Sequence, residues 1–261
     1  MSEENTLDRI LSGEVATRTE TCATHGEYES KCFLRSIWTK CPKCADEDQK
    51  RQQAELAERE KEAGIRAWNA RVSSAGIPER FRDRSLQSFV ADNDGQAYAL
   101  KFAQEFADGF DDVLKTGRSA LFIGKPGTGK THLAAGIGLR IMNRDGRSVL
   151  FTTVIRAIRR IKDTWGKAGT ETETQAIETL VFPDLLILDE VGVQFGSETE
   201  KMILFDVLNE RYEKRRPTLL LSNLTLDEVR AFLGERVFDR MREDGGEAIV
   251  FDWESHRGRV A

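Results

Sequence analysis

Residues 75–261 read as an α/β fold, a parallel sheet with helices on both faces, and three observations carry that prediction. Five short apolar runs recur along this stretch: SALFIG (119–124), RSVLFTT (147–153), DLLILD (184–189), PTLLLSN (217–223) and EAIVFDW (247–253). Helical stretches fall between them. In SETEKMILFDVLNERYEKR, Ile203, Leu204, Val207 and Leu208 repeat at i, i+4 spacing, and VIRAIRRIKDTW also has a helical pattern. A glycine-rich loop joins the first run to the helical THLAAGIGLRIM. Nearly all-apolar strands that alternate with helices belong to parallel sheets buried on both sides.

The remaining chain divides into two further zones, 1–45 and 46–74. All four cysteines fall in the first, between 22 and 44. The second (DEDQK…ARVSS) is rich in charge and strong helix formers but has no apolar seam. It is expected to be a solvated connecting helix or linker, with Gly64 as its weak point, rather than a coiled coil. SSAGIP then supplies turn chemistry before the third zone.

With 261 residues, 39% apolar, the chain has ample length for a buried core. No run approaches a membrane span and MSEENTLDRI lacks a signal peptide, so a cytoplasmic protein without a membrane partner is expected. A net charge of −5 excludes a wholly basic, nucleic-acid-coating surface but leaves room for a local basic strip.

The loop GKPGTGKTHLA (124–134) fits G-x-x-x-x-G-K-[ST] without a gap. Gly124, Lys125, Pro126, Gly127, Thr128, Gly129, Lys130, Thr131 and His132 are therefore the candidate nucleotide-binding residues. Glycines let backbone N–H groups close around phosphates at the positive end of a helix. Lys130 should reach the β- and γ-phosphates, and the Thr131 hydroxyl should ligate Mg²⁺. LLILDE ends a strand in Asp189, a second magnesium ligand, followed by Glu190 where a base for water is wanted. That glutamate favours an ATPase over a small-molecule kinase. Asn223, ending PTLLLSN, is either a polar group aimed at the γ-phosphate or a cap for the next helix.

GKPGTGKTHLA, LLILDEVG, LLLSNL and above all GERVFDRM (234–241) resemble the DnaC-type replicative-helicase loaders of the AAA+ superfamily, relatives of the DnaA initiators and IstB transposition helpers. AGIPERF (75–81) resembles that family's entry into its ATPase core, where it lies against the adenine, and IVFDWESHRGRV resembles its ending. The resemblance implies an AAA+ P-loop core and an ATP-dependent switch. Such a protein assembles with copies of itself and places a replicative DNA helicase, a DnaB-like ring, on single-stranded DNA. An IstB-like transposition helper is the alternative. It also implies that the GERVFDRM block lends arginine to a neighbouring subunit's ATP, with Arg240 favoured and Arg236 its competitor. Eight residues after EAIVFDW are too few for the helical lid of larger AAA+ proteins.

Basic residues concentrate between 140 and 167 (Arg140, Arg144, Arg147, Arg156, Arg159, Arg160, Lys162, Lys167). As a helix, VIRAIRRIKDTW puts Ile155, Ile158, Ile161 and Trp165 on one face and Arg156, Arg159 and Arg160 on the other. This strip, with Lys162, is either a solvated face or a track for single-stranded DNA phosphates.

Cys22-x-x-His25 and Cys41-x-x-Cys44 form two knuckles whose spacing lets four side chains converge on one tetrahedral ion, with Cys32 the rival to His25. One histidine and three thiolates suit Zn²⁺, and nothing indicates redox work. The alternative is four unmetallated cysteines, but so short a segment can hardly bury a core without metal. This zinc module is expected to grip the helicase.

Overall fold

The computed structural model describes residues 16–33, 37–166, 171–193 and 197–256. The chain forms two compact units, Met1–Trp68 and Asn69–Ala261. Among the described residues, no helix is long and apolar enough to cross a membrane. Lys167 lies outside the described residues.

In the first unit, β1 (Thr17–Cys22) and β2 (Gly26–Phe33) form an antiparallel hairpin that closes at Cys22 opposite Gly26. Gly26 takes the positive φ of +79° that this turn demands. A short β3 (Ile37–Trp38) pairs with β2. The helix α1 runs unbroken from Pro42 to Ser74. It starts four residues earlier than its composition indicates and does not break at Gly64. A glycine costs a helix only about 1 kcal/mol relative to alanine, which the surrounding Ala, Glu, Lys, Arg and Gln readily offset. No apolar seam runs along it, and Leu56 and Ile65 are exposed.

The second unit is built on a five-stranded, all-parallel sheet: β4 (Ala120–Gly124), β5 (Val149–Thr153), β6 (Leu185–Val191), β7 (Thr218–Ser222) and β8 (Glu247–Phe251), in the order β5-β6-β7-β4-β8. Its helices are α2 (Asp94–Asp108), α3 (Phe110–Thr116), α4 (Lys130–Arg144), α5 (Val154–Asp163), α6 (Glu173–Val181), α7 (Glu198–Glu213), α8 (Leu226–Leu233) and α9 (Glu235–Arg242).

Alternate strand residues sort into two cores, as the two-residue period of a strand requires. Leu121, Ile123, Leu186, Leu188 and Leu220 join residues of α5 to α9 in one apolar cluster. Phe122 points the other way, into an aromatic chain with Phe102 of α2 and Phe251. Because the strands are parallel, their C-terminal ends share one edge, the usual ligand edge of such sheets.

Arg211 of α7 is wholly buried. It donates to Thr218 Oγ1 and to the carbonyls of Leu180, Val181, Pro183 and Pro217 at 2.6–3.0 Å. Burial pulls its pKa down to about 9, so it stays charged at neutral pH.

Trp165 departs from the helical-wheel expectation: it is 52% exposed. The reason is local, because α5 ends at Asp163 and Trp165 lies beyond it, while Val154, Ala157, Ile158 and Ile161 form the buried face.

Candidate nucleotide site and its satellites

The glycine loop follows β4 and opens α4, and its conformation is dictated by crowding. At Gly124 (φ +127°) a Cβ would sit 2.2 Å from the Phe251 carbonyl oxygen, and at Gly129 (φ +101°) 2.6 Å from the Phe89 ring. Only glycine fits at either position. Lys130 is buried, and its ammonium donates to the carbonyls of Gly124 and Lys125 at 2.7 Å each. The Thr131 hydroxyl donates to Asp189 Oδ2 at 3.1 Å, so the two expected magnesium ligands, one from α4 and one from β6, are in contact.

Asp189 and Glu190 form a bulge. The β6–β7 register runs Leu188 opposite Leu220 and then Val191 opposite Ser222, so both acids face the single residue Leu221. Glu190 takes φ +62°, rare for a side chain that large, and its N–H donates to Asp189 Oδ1 at 2.7 Å. Bulges re-aim side chains, and backbone strain of this kind collects at functional sites. Burial pushes the Asp189 carboxyl up, opposed by the Glu190 N–H, the Thr131 hydroxyl and the Lys130 charge. A bound dication would favour the carboxylate instead. These donors fit Mg²⁺: a hydroxyl and a carboxylate, both hard oxygen ligands, beside a lysine.

Asn223 is exposed at the C-terminal end of β7, between β4 and β6. It does not cap α8. Thr225 does so, in a capping box with Glu228. His132 points elsewhere than its place in the motif indicates: Nε2 lies 3.0 Å from the Ser85 carbonyl oxygen and 3.2 Å from Ser88 Oγ, and its ring meets the Phe89 edge.

Arg236 and Arg240 share α9, and no glycine-loop residue lines the hollow they border with Tyr212 and Glu243. Arg236 is exposed, with its guanidinium 5.8 Å from the Phe205 ring centre, and Arg240 lies 4.6 Å over Tyr212. Glu235 pairs with Arg230.

In the first unit, Cys22, His25, Cys41 and Cys44 place one ligand atom each within 4.8 Å of all the others. Cys22 and Cys44 sulfurs are 3.4 Å apart, and His25 Nδ1 lies 3.3 Å from Cys44, 3.8 Å from Cys41 and 3.9 Å from Cys22. Tetrahedral zinc with ordinary bond lengths requires edges of about 3.5–3.8 Å, so the donor set fits. Cys41 immediately precedes α1 and Cys44 rides its first turn, so the helix start positions this pair. The ligand nitrogen is Nδ1, because Nε2 faces Glu47 Oε1 at 3.1 Å. Hydrogen bonds from the Thr24 and His25 backbone pull Cys22 down to about 6, while Cys22 pushes its neighbour Cys44 up to about 12. Cys32 is outside the cluster.

The basic strip is divided. Arg156, Arg159 and Arg160 are exposed on α5, but Arg160 forms a fork with Glu171 (2.6 and 3.1 Å) and Lys162 pairs with Glu200 (2.7 Å).

A family model described as IstB-like ATP binding protein matches residues 111–242. The protein named replicative helicase loader DnaC of Escherichia coli (strain K12) is 39% identical over 186 residues, covering 71% of this chain and 74% of its own. The chain belongs to the DnaC-type helicase-loader family. The DnaC of Buchnera aphidicola subsp. Acyrthosiphon pisum (strain APS) is 35% identical over 189 residues, 72% of this chain and 75% of that one. In fold, the crystal structure of the DnaC helicase loader superposes with a TM-score of 0.60 at 24% identity, over 66% of this chain and 99% of that chain. Replication initiator DnaA bound to AMPPCP and single-stranded DNA does so at 0.56 and 20%, over 68% and 51%.

As a member of this AAA+ family the chain is an ATPase. Two supports of this loader-family ATPase site, and one of the Cys/His cluster, escape motif reading. The segment after β8 straps the glycine loop: the Trp253 indole donates to the Thr128 carbonyl at 2.9 Å, and the His256 N–H to that of Gly127 at 3.0 Å. Phe89 lies beneath Gly129, and Glu47 backs His25. The only sequence signal for the strap is the block IVFDWESHRGRV.

Proposed function

We propose that this protein is an ATP-dependent loader that binds a replicative ring helicase and delivers it to single-stranded DNA, with ATP hydrolysis as the release switch. One observation carries the reading. A chain 39% identical to a protein named replicative helicase loader combines Lys130, Thr131, Asp189 and Glu190 at one sheet edge with two arginines on α9 away from that edge.

In this mechanism Lys130 and the loop N–H groups hold the triphosphate, with Gly124 to Thr131 forming the cradle. Thr131 and Asp189 hold Mg²⁺, which when bound neutralises charge on the phosphates. Glu190, presented by its bulge, orients and deprotonates water, and Asn223 contacts the γ-phosphate or that water. Arg240, with Arg236 as competitor, serves the ATP of the next copy in an oligomer. Arg156 and Arg159 follow DNA phosphates without reading bases. Cys22, His25, Cys41 and Cys44 would hold zinc, whose bonds would stabilise a head (1–45) that grips the helicase, and residues 46–74 link it to the ATPase core (75–261).

A second reading, an IstB-like transposition helper, is favoured by the description of the family model that matches residues 111–242. The deciding experiment incubates full-length protein, ATP, a ring helicase and closed circular single-stranded DNA, then counts helicase retained on the circles. ATP-dependent retention that is lost with Cys44→Ser supports the loader. No retention above helicase alone, together with ATP-dependent stimulation of a transposase, would establish the transposition helper.

A further inference from the structure

The two α9 arginines are held differently. Arg236 is exposed, over the partly exposed ring of Phe205. Arg240 is half-buried, with its guanidinium 4.6 Å above the ring of Tyr212, which reaches across from the last turn of α7. Its Nη1 is buried and has no hydrogen-bond acceptor among the described residues. A guanidinium nitrogen kept from water without an acceptor is costly unless an anion completes it. The platform is itself fixed, because the Tyr212 hydroxyl donates to Glu243 Oε2 at 2.5 Å, just past the end of α9. That bond to a carboxylate raises the Tyr212 pKa and keeps the phenol protonated as a donor. Two residues outside the GERVFDRM block therefore form a bracket around one of its arginines: Tyr212 beneath the guanidinium and Glu243 holding Tyr212.

We infer that Tyr212 is a positioning residue for Arg240: its ring, locked by Glu243, holds the guanidinium with one nitrogen unspent, ready for a phosphate of ATP bound to a second copy of this chain. A flexible arginine loses rotamer freedom when it docks, and a cation held against an aromatic face has already lost most of it. The inference rests on the proposed action of Arg240 in trans. It adds the reason why Arg240, rather than the solvent-exposed Arg236, is the residue prepared for that action.

The test is steady-state ATP hydrolysis by the full-length protein, at concentrations where it assembles, with magnesium and a single-stranded oligonucleotide. Tyr212→Leu removes the ring, and Tyr212→Met provides a second ring-free side chain should leucine not fold. Tyr212→Phe keeps the ring without the hydroxyl. Losing a cation–π platform should lower kcat about three- to thirty-fold, with KM for ATP within about twofold of wild type. Tyr212→Phe, which keeps the ring but frees it from Glu243, should lose less activity than the ring-free variants. In an Arg240→Ala background, Tyr212→Leu should cause no further loss, because the ring acts only through that arginine.

Wild-type kcat in the ring-free variants overturns the inference. So does an equal loss in Tyr212→Phe, or an undiminished loss in the Arg240→Ala background, which would make Tyr212 a structural residue. If Arg240→Ala itself leaves hydrolysis intact, the trans reading of Arg240 fails, a result distinct from failure of the platform alone.

Discussion

Free zinc concentration should set the stability of the first unit, and the structure indicates how steeply. Between residues 16 and 45, only Ser30 and Cys41 are buried among the described residues, so the hairpin and β3 have almost no apolar core. The four ligand atoms converge within 4.8 Å, where one shared ion would stand in for that core. A single ion that binds only the folded form stabilises it by about 1.4 kcal/mol for every tenfold rise in free concentration. Structural zinc in small modules contributes roughly 10–16 kcal/mol near neutral pH, more than such a segment could recover by packing.

Chelation or Cys44→Ser should therefore unfold the hairpin while Asn69–Ala261 keeps its own transition. The assay follows denaturant unfolding in zinc buffers spanning three decades. The first unit is read by Trp38, whose ring lies 4.0 Å from the Arg18 guanidinium, and the second by binding of a fluorescent ATP analogue. Glu47→Ala should move the zinc dependence to about 10–100-fold higher concentration, because a carboxylate behind a ligating histidine fixes its tautomer and orientation. A first transition that stays at the same denaturant concentration across the series would refute a structural ion here.

Four further outcomes are expected. Lys130→Ala should abolish ATP binding, whereas Glu190→Gln should bind normally and hydrolyse slowly, as read by equilibrium binding beside single-turnover hydrolysis; equal loss of binding in both would remove Glu190 from catalysis. Arg240→Ala titrated into wild type should depress ATPase activity more than dilution does, and a strictly proportional decline would confine that arginine to its own subunit. Arg156→Glu with Arg159→Glu should weaken binding to single-stranded DNA and flatten the log K against log salt slope by about 1.4, two phosphate contacts at roughly 0.7 each; an unchanged slope returns the strip to a solvated face. Arg211→Met should destabilise the second unit by at least about 3 kcal/mol in denaturant unfolding, since it strips several buried carbonyls of a charged donor, and a loss below about 1 kcal/mol would mean that water replaces the guanidinium.

The sheet was the most legible part of the chain. All five apolar runs became strands, displaced at their ends by no more than two residues, because strands covered on both faces must be apolar throughout. The glycine loop and the Asp189–Glu190 pair were legible for a similar reason: each needs a residue type that little else can replace at its position. Features that depend on where an element stops were not. Trp165 fits the apolar face only if α5 continues, and it does not. Gly64 looks like a break only if its cost is weighed without the thirty-two other residues of a 33-residue helix. His132 stands inside the motif yet faces Ser85, a partner 47 residues earlier. Tyr212 beneath Arg240, and Trp253 behind Thr128, are contacts between distant segments with no local pattern to announce them. The His25 choice over Cys32 depended on a hairpin turn that brings His25 back beside Cys22 while β2 carries Cys32 away.

The position of β7 has a consequence for how the protein is made. The nucleotide motifs belong to β4 and β6, which are not neighbours: β7 lies between them and pairs with both. It is also the last of the three to be synthesised. A growing chain that already contains Lys130, Thr131, Asp189 and Glu190 has no way to hold them at Thr131–Asp189 contact distance until residues 218–222 have inserted. Contacts of such long sequence separation are slow to form. ATP affinity is therefore acquired late, only after β7 has joined β4 to β6. In the proposed oligomer, where the ATP of one copy meets the arginines of the next, a copy that stalled before β7 inserted would have no ATP to offer.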